Sequence, residues 1–253
     1  MRAVRQPIVT TLHTVLPDPS PSLRDVTQQI CMHSAAVVVL ARSAIAMLRD
    51  EYGVDTEKIF YVPHGIPSVP RRPGMRRAMK AELGFSGRTL LSTFGLISRN
   101  KGIEYVIQAL PPLIEQHPDL LYLVLGETHP GVRRHEGEVY RDKLQALVDD
   151  LGLHDHVQFE NCYFNLQALV NYLVATDVYL MPYLDPYQIV SGTLAYAVGC
   201  GKAVIATPFR YAQEMLADNR GIIVPFRSYQ AITEALAMLP VSYTHLRAHE
   251  TGR

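Results

Sequence analysis

The sequence predicts an α/β fold made of two units with parallel sheets, and three observations indicate it. Strand-like and helix-like segments alternate from residue 8 onward, which is typical of βαβ units. The apolar segments are continuous rather than interrupted by polar residues, as in parallel strands that are covered on both faces. A break at residues 63–67 precedes a segment rich in proline and arginine at 68–74, which places a domain boundary after residue 67.

Composition limits the class of protein. The chain has 253 residues, 48% of them hydrophobic, so it can bury a core. Lys+Arg and Asp+Glu number 24 each, and this balance predicts no nucleic-acid partner. Cys31, Cys162 and Cys200 are far apart without a CxxC pair, which argues against a disulfide framework or a cysteine zinc site and favours a reducing cytoplasm. The longest apolar run, residues 35–41, is shorter than the ~20 residues that span a bilayer.

The first unit contains three predicted strands. Its elements are, in chain order, a strand at 8–12, a helix at 23–33, a strand at 37–40, a helix at 43–52 and a strand at 58–62. Because the first strand begins almost at Met1, we expect this unit to be incomplete at its N-terminal side.

The second unit is predicted to be a six-stranded doubly wound sheet. Its strands are expected at 89–94, 120–125, 157–159, 178–181, 203–205 and 221–224, and its helices at 103–115, 138–151, 166–175, 192–198, 212–216 and 229–239. Ligands of such sheets lie beyond the carboxyl ends of the strands. The functional loops are therefore expected at 95–101, 126–137, 182–191 and 208–211. Residues 241–253 abandon the helical period and resemble a translated sequencing-library adapter, so they are expected to be a non-native tail.

Two segments of the second unit suit a diphosphate. Ser191-Gly192-Thr193 opens a helix after the fourth strand, where a capped N-terminus and a glycine leave backbone N–H groups accessible to phosphate. Arg99 and Lys101 follow the first strand and could neutralise two phosphates. The alternatives are an ordinary capped helix and an exposed basic turn. No GxxxxGK[ST] or GxGxxG pattern is present, which weakens ATPase and dinucleotide-dehydrogenase interpretations.

Several motifs in order resemble glycosyltransferase family 4, of the GT-B architecture, over residues 8–239. They are VTTLHT, VPHGIP, FGLISRNKGIEYVIQAL, YLVLGETHP, LGLHDHVQFENCY, ATDVYLMPY, SGTLAYAVGCGKAVIATP and RGIIVPF. The resemblance implies two Rossmann-like domains. Residues 1–67 would be the C-terminal half of the N-terminal, acceptor-side domain, residues 68–240 the nucleotide-sugar-binding domain, and residues 241–253 the tail.

The resemblance also implies an activity. A retaining hexosyltransferase would move a sugar from a nucleotide-diphosphate donor to a glycan, lipid or small-molecule acceptor, with peripheral membrane contact through the missing N-terminal part. No DxD pair is present, so no cofactor and no obligatory metal are expected. The alternatives are an inactive nucleotide-sugar-binding fragment and an epimerase or phosphorylase of the same architecture.

Catalytic residues follow from the matched motifs. Lys101 matches the lysine that holds the donor diphosphate, and Arg99 is expected beside it. The arginine of the family, however, usually follows the strand-end glycine directly, and here Leu96 follows Gly95. His13 matches a histidine that reaches the donor sugar across the cleft; the alternative is a loop histidine.

Donor-binding residues show the largest departure from the family. Many members carry two glutamates separated by seven residues, and Gln188 and Tyr196 occupy those positions here. The Gln188 amide could still bind sugar hydroxyls, and Ser191, Gly192 and Thr193 fall where the family presents N–H groups to phosphate. The change is interpreted as a subfamily mark, with loss of activity as the rival.

Three further residues complete the predicted donor set, together with Gly95. Glu127 and Thr128 directly follow a strand and are expected to reach the base or ribose. Glu214 stands where the family often has a glutamate near the donor.

Overall fold

Two separate parallel sheets organise residues 6–66, 68–69 and 72–246, which the computed structural model describes. The smaller sheet has the order β1-β2-β3, with β1 at Val9–Leu12, β2 at Ala36–Val39 and β3 at Ile59–Tyr61. Helices α1 (Pro21–His33) and α2 (Ser43–Tyr52) connect these strands. This arrangement confirms the predicted strand–helix alternation of the first unit.

The two faces of the small sheet differ in exposure. Val37 and Val39 of β2 are buried in one core with Leu48 of α2. The opposite face carries Val9 and Phe60, which are 62% and 53% exposed. One face of this sheet therefore packs on helices, whereas apolar side chains of the other face lie open.

The larger sheet has six parallel strands in the order β6-β5-β4-β7-β8-β9. The strands are β4 (Thr89–Phe94), β5 (Leu120–Leu125), β6 (Val157–Glu160), β7 (Val178–Met181), β8 (Ala203–Ala206) and β9 (Ile222–Ile223). The chain winds outward from β4 on one side and from β7 on the other. A ligand crevice is expected above these two central strands, where the strand order reverses.

Helices cover both faces of the large sheet. They are α3 (Met75–Glu82), α4 (Ile103–Ala109), α5 (Pro111–Ile114), α6 (Pro130–Glu136), α7 (Val139–Asp150), α8 (Leu166–Ala175), α9 (Gly192–Gly199), α10 (Arg210–Met215) and α11 (Tyr229–Leu246). Alternate residues of β5 join different cores: Leu121 and Leu123 belong to one, Tyr122 and Val124 to the other. Burial on both faces explains the continuous apolar runs.

Several helices differ from the sequence prediction. The helix expected at 103–115 is divided, because Pro111 lacks the N–H that would continue α4. Helix α6 forms inside the predicted loop 126–137, where His129 Nδ1 accepts a hydrogen bond from Gly131 N and Pro130 starts the first turn. Helix α3 was not predicted.

The last helix was expected to end at residue 239 but continues to residue 246. Residues 241–246 of the predicted tail are therefore helical, whereas residues 247–253 lie outside the described part of the chain. Within that part, no helix is both long enough and apolar enough to cross a bilayer.

An ionic contact fixes α3 to the amino-terminal edge of the large sheet. The carboxylate of Asp177, which is 9% exposed, accepts hydrogen bonds from Leu90 N at 2.7 Å and from Lys80 Nζ. Arg76 Nε lies 3.3 Å from the same carboxylate. This cluster joins β4, β7 and α3 far from the carboxyl ends of the strands.

Candidate functional site

A cleft of about 360 Å³ lies at the carboxyl ends of β4 and β7, where the strand order of the large sheet reverses. Its lining comprises residues from the loops after β4, β5 and β7 and from the start of α9: Gly95, Leu96, Ser98, Asn100, Lys101, His129, Tyr183, Gln188 and Thr193. Ligand pockets of proteins commonly measure about 300–1,000 Å³. The cleft therefore suits part of a small organic ligand.

Lys101 provides a cation to this cleft. It ends a 3-10 turn at Arg99–Lys101, and its Nζ donates a hydrogen bond of 2.7 Å to the Tyr183 hydroxyl. The same hydroxyl lies 3.0 Å from Thr193 Oγ1 on α9. Tyr183 is 1% exposed and stacks on Phe209 with ring centres 5.3 Å apart, so a rigid phenol positions the ammonium beside α9.

The N-terminus of α9 supplies the second feature of the cleft. Ser191 caps this helix, since its Oγ accepts a hydrogen bond from Leu194 N at 3.3 Å and lies 2.9 Å from Thr193 Oγ1. Gly192 and Thr193 are the first two helical residues, and N–H groups at such positions have no intrahelical carbonyl partner. Lys101 and this positive helix end lie side by side, an arrangement whose charge favours an anionic ligand.

Two glycines allow the loops around the cleft to approach one another. Gly95 has φ +130°, and a Cβ there would lie 3.5 Å from Thr193 Cγ2 and 3.8 Å from Lys101 Nζ. Gly126 has φ +134°, and its Cβ would lie 2.1 Å from the Gly95 carbonyl oxygen. Because other residues rarely adopt such φ values, glycine is required at both strand ends.

The structure does not bring Arg99 into the cleft with Lys101, contrary to the sequence prediction. Arg99 Nε donates to Glu136 at 3.2 Å, and its guanidinium carbon lies 5.8 Å from the Tyr140 ring centre. The reason is α6, which carries Glu136 and occupies a segment that the sequence predicted to be a loop. Of the two predicted cations, Lys101 lines the cleft and Arg99 does not.

The two positions that replace the expected glutamates have different surroundings. Gln188 lines the cleft, and its Nε2 donates to the Val190 carbonyl at 3.1 Å. Tyr196 does not line it. The Tyr196 ring packs instead 5.9 Å from the His64 ring and 6.4 Å from the Phe94 ring. Gln188 can therefore contact a ligand in the cleft, whereas Tyr196 packs α9 against its neighbours His64 and Phe94.

Glu127 and Thr128 lie beside the cleft rather than in its lining. Thr128 is 2% exposed, and its hydroxyl donates a hydrogen bond to the Glu138 carboxylate. This hydrogen bond, together with the one from Arg133, holds the pKa of the Glu138 carboxyl below its usual value. A Glu127 carboxylate oxygen lies 3.6 Å from Arg133 Nη1. The next residue, His129, lines the cleft instead.

Glu214 lies at a contact between the two units, not at the cleft where the sequence placed it. Its carboxylate accepts hydrogen bonds from Arg42 N at 2.7 Å, from Ser43 N at 3.1 Å and from Ser43 Oγ at 3.0 Å. Helix α2 begins at Ser43 and has no cap from its own preceding side chain. Glu214 therefore caps a helix of the first unit.

His13 follows β1 and is exposed, outside the cleft lining. Sequence reasoning overlooked another histidine, His64, in the segment that connects the two units. A Cβ on Gly192 would lie 3.1 Å from His64 Nε2, so this ring touches the first residue of α9. His64 is the histidine of the VPHGIP motif, and that motif was the available sequence signal.

Tyr183 and Asn100 also line the cleft although the sequence analysis did not select them. Tyr183 stands two residues after β7, inside a predicted ligand loop, so its position was the available signal. Across the ranges that the structure describes, no three His, Cys, Asp or Glu side chains form a group suited to a metal ion.

Comparisons with known families and relatives find similarity to glycosyltransferases. A family model described as glycosyl transferases group 1 matches residues 88–240. A D-inositol 3-phosphate glycosyltransferase of Rhodococcus jostii is 30% identical over 219 residues, which are 79% of this chain and 46% of the relative. A GDP-mannose-dependent alpha-(1-6)-phosphatidylinositol monomannoside mannosyltransferase of Mycolicibacterium smegmatis is 28% identical over 74% of this chain and 45% of its own length. The chain spans about half the length of the curated relatives it matches.

Solved structures show the same fold. The crystal structure of Anabaena Alr3699/HepE in complex with UDP and glucose has a TM-score of 0.72 at 18% identity and covers 96% of this chain and 64% of that protein. The structure of WaaG, a glycosyltransferase involved in lipopolysaccharide biosynthesis, has a TM-score of 0.64 at 22% identity over 83% and 56% of the two chains. The predicted α/β fold of the GT-B type is thereby confirmed.

Proposed function

Since the chain belongs to the glycosyl transferases group 1 family, we propose that it carries the donor site of a retaining hexosyltransferase that uses a nucleotide-diphosphate sugar. The observation that carries the proposal is the chain of contacts from Lys101 through Tyr183 to Thr193, at the N-terminus of α9. This arrangement supports the proposal, because a cation and the N–H groups of a helix N-terminus are the groups that bind phosphate in proteins.

The proposed chemistry follows from the charge that develops during transfer. As the bond between the sugar and the diphosphate breaks, negative charge grows on the leaving diphosphate. Lys101 and the N–H groups of Gly192 and Thr193 stabilise that charge more strongly than the charge of the ground state. No metal ion is obligatory in this scheme, and a chelator is expected to leave turnover unchanged.

Substrates are proposed from the relatives. The Alr3699/HepE structures are described in complex with UDP, glucose and UDP-glucose, which supports a nucleotide hexose as the donor. The named relatives act on inositol 3-phosphate and on a phosphatidylinositol monomannoside, which supports a polyol, glycan or lipid-linked acceptor. Cys31 and Cys162 are free thiols, and this supports a cytoplasmic location, where thiols remain reduced.

The test is a product analysis with UDP-glucose or GDP-mannose as donor, in the presence and absence of inositol 3-phosphate. The proposal expects a new glycoside only when the acceptor is present and only with Lys101 intact. Conversion of the donor without an acceptor would indicate an epimerase. Binding of the donor without any product would indicate a nucleotide-sugar-binding fragment.

A further inference from the structure

One face of α9 holds the segment that connects the two units. Gly192, Tyr196 and Gly199 are spaced at i, i+4 and i+7, so they share this face. A Cβ on Gly199 would lie 1.9 Å from Ile66 Cδ1, and one on Gly192 would lie 3.1 Å from His64 Nε2. The two glycines therefore let the connecting segment lie directly on the helix, with His64 at its N-terminal end.

A hydrogen bond of the His64 ring determines which of its two nitrogens carries the proton in the neutral form. His64 Nδ1 lies 2.8 Å from the Gly65 carbonyl oxygen, and because a carbonyl only accepts, Nδ1 must donate. In the neutral ring Nε2 then carries a lone pair, and in the protonated ring it becomes a charged N–H donor. Either form presents Nε2 to the first turn of α9.

This position complements that of Lys101. Lys101 reaches the same helical turn through Tyr183 and Thr193, whereas His64 reaches it at Gly192. Arg99, the second cation that the sequence predicted, is turned toward Glu136. The first turn of α9 thus has an ammonium on one side and an imidazole on the other.

We propose that His64 is the second cationic ligand of the diphosphate, and that it takes up a proton from solvent when the ligand binds. This inference rests on the proposed function, because it assumes that a diphosphate occupies the N-terminus of α9. The protonated Nε2 donates to a phosphate oxygen.

The surroundings of His64 couple protonation to binding. The groups that face it are the positive end of α9, the Tyr196 ring and the Gly65 carbonyl, with Lys101 across the helical turn. A bound phosphate favours the charged form of the ring, so ligand affinity should increase as the pH falls.

The test compares the full chain with His64→Gln by calorimetric titration with UDP, GDP and uridine at pH 6.0 and pH 8.0. At pH 6.0 the substitution is expected to weaken diphosphate binding roughly fivefold to tenfold, with little change at pH 8.0 and none for uridine. Titrations in two buffers of different ionisation enthalpy should show that the parent takes up more protons than the variant. Comparison with the variant removes the contribution of the ligand's own phosphate ionisation.

The matched control is His33→Gln, since His33 is an exposed residue at the end of α1. Its pH dependence should equal that of the parent. An equal pH dependence in the parent and in His64→Gln, or an equal loss for UDP and uridine, would overturn the proposal. Lys101→Ala distinguishes a failure of the His64 proposal from a failure of the proposed function. If Lys101→Ala weakens diphosphate binding and His64→Gln does not, only the role of His64 is wrong. If the parent binds neither diphosphate, both proposals are wrong.

Discussion

The hydroxyl of Tyr183 lies between two groups of the cleft, 2.7 Å from Lys101 Nζ and 3.0 Å from Thr193 Oγ1. Lys101 Nζ also lies 3.9 Å from the centre of the Tyr183 ring. The phenol therefore joins the loop after β4 to the helix that follows β7. A single hydroxyl orients both halves of the proposed diphosphate site.

The first prediction concerns this hydroxyl. Tyr183→Phe retains the ring and its stacking on Phe209 but removes a hydrogen bond to the ammonium, so diphosphate affinity should fall by about fivefold, equivalent to about 1 kcal/mol. Titration with UDP measures the effect, and Tyr187→Phe, at a position 52% exposed, is the control. An affinity equal to that of the parent would mean that Lys101 needs no orientation by Tyr183.

The second prediction separates two roles of Glu214. Glu214→Ala removes the cap of α2, so the free energy of unfolding should fall by about 0.5–2 kcal/mol while UDP affinity stays unchanged. Urea unfolding and calorimetry measure the two quantities, with the exposed Glu234→Ala as control. Weaker UDP binding without loss of stability would restore the donor-binding role that the sequence suggested.

The third prediction concerns the buried ionic cluster. Asp177→Ala leaves Lys80, whose side chain is 14% exposed, without its carboxylate, and the loss of one partner of a buried pair should cost about 3–5 kcal/mol of stability. Urea unfolding is the measurement, and Asp150→Ala, at an exposed position on α7, is the control. A loss equal to that of the control would show that water replaces the carboxylate.

The sequence predicted the large sheet well because its strands are buried on both faces. The strands predicted at 89–94, 120–125 and 178–181 coincide with β4, β5 and β7, because continuous apolar runs are typical of parallel strands buried on both faces. Helix α6 was missed because its cap is His129, a residue that few helices use as an N-cap. Because α6 was not predicted, the position of Glu136 could not be foreseen. Arg99 was therefore expected in the cleft.

The candidate site was predictable where a residue lies in a loop after a strand of the large sheet or begins a helix of the second unit. Lys101 and Thr193 follow this rule, and both line the cleft. Glu214 and His64 do not, because their neighbours belong to the other unit or to the connecting segment. Contacts between units depend on how the two sheets pack, and local sequence patterns carry no information about that packing.

The proposed donor site depends most directly on the binding of a diphosphate by Lys101. Lys101→Ala removes a charge-assisted contact of about 1.5–3 kcal/mol, which corresponds to roughly 10- to 150-fold weaker binding. Calorimetric titration with UDP and with uridine should show this loss for UDP alone, and Lys143→Ala, at an exposed position on α7, should bind both ligands as the parent does. Equal weakening of UDP and uridine by Lys101→Ala, or no change in either, would contradict the account.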